Sequence, residues 1–126
     1  MRLLLDTHIL LAITENRTHN LPGRVRRLVD ENSGVISVAS LWEIAIKNRL
    51  GKLPVSLPLE ALPEAISQME LQLLQITAAH VLIQVEPEPP TRDPFDRLLL
   101  AQCKVEGLRL VTIDRALVDH PYAMTD

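Results

Sequence analysis

A chain of 126 residues is long enough to close one core without covalent staples, and 47% hydrophobic with 23% charged residues excludes a disordered or fibrous protein. The single Cys103 excludes an internal disulfide and a thiolate metal cluster, so a reducing compartment fits. A net charge of -3 excludes nucleic-acid binding by bulk electrostatics alone, because domains that bind in this way are usually basic.

The first element is the run Leu3-Leu4-Leu5 ending in Asp6, which reads as a buried strand with a carboxylate at its end. Thr7-His8 and the apolar run Ile9 to Ile13 follow as a helix. In an open α/β sheet ligands bind just beyond the carboxyl ends of the strands, so Asp6 is placed where a site belongs. Thr14 to Leu21 is polar, and Pro22 signals the start of a helix reaching Glu31, with Val25, Leu28 and Val29 facing inward. Asn32-Ser33-Gly34 reads as a turn, Val35-Ile36 as a short strand, and Ser37 to Leu50 as a helix that Gly51 terminates. The helical spacing of Val38, Leu41, Trp42, Ala45 and Ile46 marks the face expected against the sheet, with Glu43 on its flank.

Lys52 to Pro58 is a proline-punctuated connection. Leu59 to Met69 predicts a helix, with Pro63 accommodated only near its start. Leu71 to Ile76 predicts a strand, and Thr77 is the N-cap of a helix over Ala78 to Val85. Glu86-Pro87-Glu88-Pro89-Pro90 is a loop. Asp93 is the N-cap and Pro94 the first residue of a helix that stops at Gly107. The strand Leu108 to Val111 follows, then Thr112-Ile113-Asp114, then a helical stretch from Arg115 to Val118, which repeats the opening pattern of strand, carboxylate and helix. The tail from His120 to Asp126 carries little signal. Helices alternating with short apolar strands call for a parallel sheet with helices on its faces, as a single domain over residues 1–126. No apolar run approaches the ~20 residues needed to span a bilayer. Met1-Arg2 leads straight into a strand rather than a signal peptide, so a cytoplasmic location is expected.

Asp6, Glu43, Asp96 and Asp114 stand out as carboxylates set among apolar positions at helix starts or strand ends. Carboxylate oxygens suit Mg²⁺ or Mn²⁺, singly or as a pair clamping an in-line displacement at phosphorus. Each residue also has a plain structural use. Asp6 and Asp114 would cap the helices after them. Glu43 is third after Ser40, as in a capping box, and four before Lys47, as in a helical ion pair. Asp96 would favour the positive end of its helix. Thr7 and Thr112 would orient a carboxylate or cap. His8, His19, His80 and His120 show no metal-ligand spacing, and Trp42 and Phe95 fit packing better than base stacking. Arg24, Arg26 and Arg27, then Lys47, Arg49 and Lys52, then Arg92, Arg97, Arg109 and Arg115 read as solvated faces, or as cations ringing a carboxylate pocket.

The segments Leu3-Leu4-Leu5-Asp6-Thr7-His8, Ser40-Leu41-Trp42-Glu43-Ile44-Ala45-Ile46-Lys47, Arg92-Asp93-Pro94-Phe95-Asp96-Arg97 and Val111-Thr112-Ile113-Asp114, in this order and spacing, resemble the PIN-domain ribonucleases. Within them the nearest likeness is to the VapC-like toxins of bacterial toxin-antitoxin pairs. The resemblance covers nearly the whole chain. It implies an α/β/α sandwich with a short central parallel sheet, and an Mg²⁺- or Mn²⁺-dependent endoribonuclease whose four acidic positions fall on Asp6, Glu43, Asp96 and Asp114. On that reading Asp6, Asp96 and Asp114 hold the metal, Glu43 positions or deprotonates a water, and Thr112 matches the hydroxyl residue that commonly precedes the last acid. Thr91 departs from a frequent His. Lys47 and Arg97 are expected near flanking RNA phosphates. A homodimer and a small antitoxin partner are also implied.

Two rivals remain at this point. A phosphotransfer enzyme also places an Asp after its first strand, but dehalogenase-type phosphatases need a second Asp where this chain has His8. A catalytically idle domain that binds RNA or protein has no evident use for four acidic positions in this pattern.

Overall fold

The computed structural model describes residues 1–124. Four strands, β1 (Arg2–Leu5), β2 (Ser33–Ser37), β3 (Gln72–Leu74) and β4 (Arg109–Val111), form one sheet in the order β3-β2-β1-β4, with every pairing parallel. Six α-helices accompany them: α1 (Thr7–Thr14), α2 (Gly23–Glu31), α3 (Val38–Arg49), α4 (Leu62–Gln68), α5 (Ala78–Leu82) and α6 (Pro94–Glu106). Helices cover both faces, which makes the expected three-layer α/β/α arrangement. Among the described residues no helix is long and apolar enough to cross a membrane.

The two-residue period of the strands divides the core. Leu3 and Leu5 of β1, Ile36 of β2 and Val111 of β4 point into one cluster with Ile9, Leu10, Val25, Leu28, Leu62 and Ile66 from α1, α2 and α4. Leu4, Val35 and Leu110 point the other way, against Leu99, Leu100 and Cys103 of α6. A strand buried on both faces must be apolar throughout, which is why β1 reads as an unbroken leucine run.

Sequence order runs outward from β1 through β2 to β3, then returns to place β4 on the other side of β1. The β1/β4 seam is therefore the switch point, and side chains just beyond its carboxyl end share one crevice. Leu3, Leu4 and Leu5 pair with Arg109, Leu110 and Val111. One further main-chain bond, Asp6 N–H to the Val111 carbonyl at 2.9 Å, carries the register to the residues that leave the sheet.

Several local expectations change. Ser33 and Gly34 belong to β2 rather than to a turn, pairing with Arg2 and Leu3. Gly34 lies close to its neighbours, since a Cβ there would stand 2.5 Å from Leu71 Cδ2 and 3.1 Å from Leu5 Cδ1 and would make those side chains shift. The helix start at Ser37 holds, Ser37 capping α3 by accepting from the Ala39 N–H, so no capping box forms at Ser40. The buried residues of α3 are Ala39, Ser40, Glu43 and Ile44, and Trp42 lies outside. The inward stripe is thus rotated from the expected one, because α3 packs against α1, α6 and β2 and buries two polar side chains, Ser40 and Glu43, that bond Thr7 of α1. Helix α5 ends at Leu82, after which Ile83 is extended. Arg115 to Val118 makes a single hydrogen-bonded turn rather than a helix. The chain has to reverse there so that the Leu110 N–H can bond the Tyr122 carbonyl and the Met124 N–H the Leu110 carbonyl, which gives the tail a structural task the sequence did not signal.

Candidate active site

Asp6 leaves β1 as the N-cap of α1, its Oδ1 accepting from the Thr7 N–H at 2.7 Å. Its other oxygen, Oδ2, accepts from Thr112 Oγ1 at 2.6 Å. The same hydroxyl accepts from the Asp114 N–H at 3.0 Å, while Asp114 Oδ1 takes the Ala116 N–H at 2.9 Å. Capping and clustering are therefore not alternatives here. Each Asp caps the turn that follows it, and Thr112 ties the two strand ends together.

Glu43 is brought to this end of the sheet by α3. It is 6% exposed, on the inner face of the helix rather than its flank. Thr7 Oγ1 donates to Glu43 Oε1 at 2.7 Å and lies 2.9 Å from Ser40 Oγ. Lys47 Nζ contacts Glu43 Oε2 at 2.5 Å, the ion pair expected from the four-residue spacing. Thr7 thus orients Glu43 with its side chain and Asp6 with its main chain. Ser40 is a site residue that the sequence offered only as a cap. Its signal was its place three residues before Glu43, on the same helix face.

Asp96 enters from α6. Asp93 caps that helix through the Phe95 N–H at 2.9 Å, which leaves Asp96, in the first turn and 8% exposed, pointing toward the other acids. Thr91 Oγ1 lies 3.4 Å from Asp96 Oδ2.

The electrostatics tie the set together. Burial pushes the Asp96 carboxyl up to about 7 from an ordinary 3.8, and the charges of Asp93, Asp6, Asp114 and Glu43 push in the same direction. Asp6 is also raised, by burial first, with the Thr112 and Thr7 bonds opposing and Glu43 adding to the rise. Lys47 is held above its ordinary range by its bond to Glu43, helped by the fields of Asp93 and Asp96. All four predicted acids therefore act within one local field. Among the described residues no three His, Cys, Asp or Glu side chains stand close enough to hold a metal ion as they are. The donor set nevertheless fits a hard divalent cation, being all oxygen and anionic, with mutual repulsion that such a charge would relieve.

The two cations expected at RNA phosphates already have partners. Lys47 is paired with Glu43, and Arg97 donates from Nε to the Thr91 carbonyl at 3.0 Å and lies 3.6 Å from Glu88. A concavity of about 510 Å³ between α5 and α6, lined by Val81, Leu82, Ile83 and Pro89 among others, holds none of the four acids.

A family model described as PIN domain matches residues 3–121. Among solved structures, the crystal structure of VapBC2 from Rickettsia felis bound to a DNA fragment from their promoter superposes with a TM-score of 0.58 at 17% identity, covering 98% of this chain and 96% of that one. At that identity the likeness is one of fold. No curated protein sequence matches.

Proposed function

Because the chain belongs to the PIN domain family, whose members are typically nucleases, we propose that it is a divalent-metal-dependent endoribonuclease acting at the cluster of Asp6, Glu43, Asp96 and Asp114. The observation that carries this reading is Asp96. A carboxyl raised to about 7 by burial and by four neighbouring acids is arranged at a cost, and a cation offsets that cost. Structural caps alone have no use for it.

On this reading Asp6, Asp96 and Asp114 hold Mg²⁺, with Mn²⁺ as a substitute. When bound, the cation supplies charge to a scissile phosphate and acidifies water. Glu43 orients the attacking water and receives its proton, while Thr7 and Lys47 hold the carboxylate in place. Water adds to phosphorus and the ester oxygen leaves with a proton. Thr112 fixes Asp6 and the backbone of Asp114, so the strand ends keep their spacing through the reaction. Lys47 is read as the partner of Glu43 rather than as a phosphate contact.

The motif resemblance to VapC-like toxins and the fold likeness to a VapBC2 complex support a toxin neutralised by an antitoxin protein; that it acts as a homodimer in the cytoplasm is part of the same proposal. Residues 1–126 make one nuclease domain on this view.

The deciding experiment incubates purified protein with a cellular RNA pool, and separately with single-stranded DNA, in Mg²⁺, in Mn²⁺ and in chelator, beside Asp6→Asn and Glu43→Gln. Metal-dependent RNA cutting that falls about 100-fold or more in both variants is expected. Equal rates in the variants, or cutting in chelator, would sink the assignment. Absence of cutting by folded, metal-loaded protein would leave an idle binding domain.

A further inference from the structure

We propose that Trp42 is a stacking platform that seats an unpaired nucleobase of the substrate strand beside the acidic cluster, an inference that rests on the endoribonuclease reading above. Trp42 is 58% exposed although it lies one residue from the buried Glu43. Phe95, one residue before the buried Asp96, meets it edge to face, with ring centroids 5.6 Å apart and planes at 81°. The pair therefore bridges α3 and α6, the two helices that carry Glu43 and Asp96. An edge-to-face contact leaves at least one indole face uncovered, and it fixes the direction in which that face looks. The chain has only three Phe, Trp and Tyr residues, and two of them stand here. An aromatic so scarce, left mostly in water beside a carboxylate cluster, is not accounted for by packing.

Charge makes the same point from the other side. At a net charge of -3 the chain offers little sequence-independent attraction to phosphates, and Lys47 and Arg97, four residues after Glu43 and next to Asp96, are already bonded within the chain. A contact that does not depend on charge would add to the hold that a metal-loaded cluster has on one phosphate. A base stacked on an aromatic face does so for any sequence, because every base has a π-face. Arg49, exposed seven residues along α3 from Trp42, lies on the same stripe about 10 Å further on, where it can meet a neighbouring phosphate.

Trp42 is the only tryptophan, so its emission reports on this residue alone. The test titrates the Asp6→Asn protein in Mg²⁺, and the wild-type protein in chelator, with a short unstructured single-stranded RNA and with an abasic ribose-phosphate strand of equal length. Anisotropy of end-labelled RNA gives the affinities of Trp42→Ala and Trp42→Phe, with melting curves to show that each variant folds. Saturable quenching by the RNA and none by the abasic strand is expected. Trp42→Ala should weaken binding about 10- to 100-fold and Trp42→Phe much less, with the loss in cleavage falling on KM rather than kcat. RNA that is bound and cut without quenching, or equal quenching by the abasic strand, overturns the platform and leaves the nuclease standing. Failure of folded protein to bind or cut any RNA overturns both. Emission that shifts blue with protein concentration alone, in a protein that Trp42→Ala makes monomeric, means that a second copy covers the indole, and also overturns the proposal.

Discussion

Thr112 donates its hydroxyl proton to Asp6 across 2.6 Å, and the same oxygen accepts from the Asp114 N–H at 3.0 Å, so one buried threonine joins the acids at the ends of β1 and β4. Burial pushes Asp6 up and this bond pulls it down. In Thr112→Val the carboxyl should rise further and the Asp114 turn should lose an acceptor. A stability loss of about 1–3 kcal/mol is expected in thermal melts, with the pH profile of cleavage displaced to higher pH. Thr112→Ser, which keeps the hydroxyl, should restore both. A valine variant with unchanged melting and profile would show that the bond does nothing.

Asp96 sets the pH dependence of stability in metal-free protein. Its folded carboxyl stands at about 7 against an ordinary 3.8, so the folded chain binds that proton more tightly than the unfolded chain. The stabilisation is complete below the ordinary value and is lost as pH rises through about 7. Melts in chelator should therefore fall from ~pH 5 to ~pH 8 by more in wild type than in Asp96→Asn. The difference is of order 1–2 kcal/mol after allowing for solvent screening, or about 5 °C for a domain of this size. Equal drops in the two proteins would count against Asp96 as the source.

A cation at these carboxylates must displace that proton. Mg²⁺ affinity should climb with pH up to about 7 and level off above it. Titration calorimetry at ~pH 6 in buffers of different ionisation heat should show close to one proton released per cation, and markedly less in Asp96→Asn. Proton release that Asp96→Asn leaves unchanged would assign the linkage to another group.

Lys47 distinguishes positioning from phosphate binding. If it serves Glu43, Lys47→Gln should lower kcat while the slope of log affinity against log salt for single-stranded RNA stays as in wild type. A phosphate contact would instead reduce that slope by about 0.7. The 2.5 Å bond to Glu43 favours the first result.

Local chemistry made some elements plain in the sequence. Leu3-Leu4-Leu5, a short apolar run ended by a carboxylate, reads as a strand buried on both faces, and Asp93-Pro94 with Gly107 brackets α6 through cap, fixed φ and a left-handed stop, at φ 68° in the structure. The PIN family itself was legible in four short segments, since their residue types and order survive without any knowledge of distances. Other features were hidden. Helical spacing on α3 pointed to Trp42 as core and Glu43 as flank, because an apolar stripe ordinarily marks the buried face. Here that face carries Ser40 and Glu43, bonded to Thr7 from another helix.

The sequence by itself determined what depends on neighbours along the chain: the strand-carboxylate-helix units, the caps of α1 and α6, the i to i+4 pair of Glu43 with Lys47, and the candidate acids. Tertiary structure alone decided what depends on which strands become neighbours. Only the order β3-β2-β1-β4 places Asp6 beside Thr112 and Asp114, turns Glu43 inward and leaves Trp42 in water. The reason is physical. Hydrogen bonds along a helix and φ preferences are local and can be read residue by residue. The burial that lifts Asp96, and the field that adds to it from Asp93, Asp6, Asp114 and Glu43, exist only when the sheet has brought these elements together.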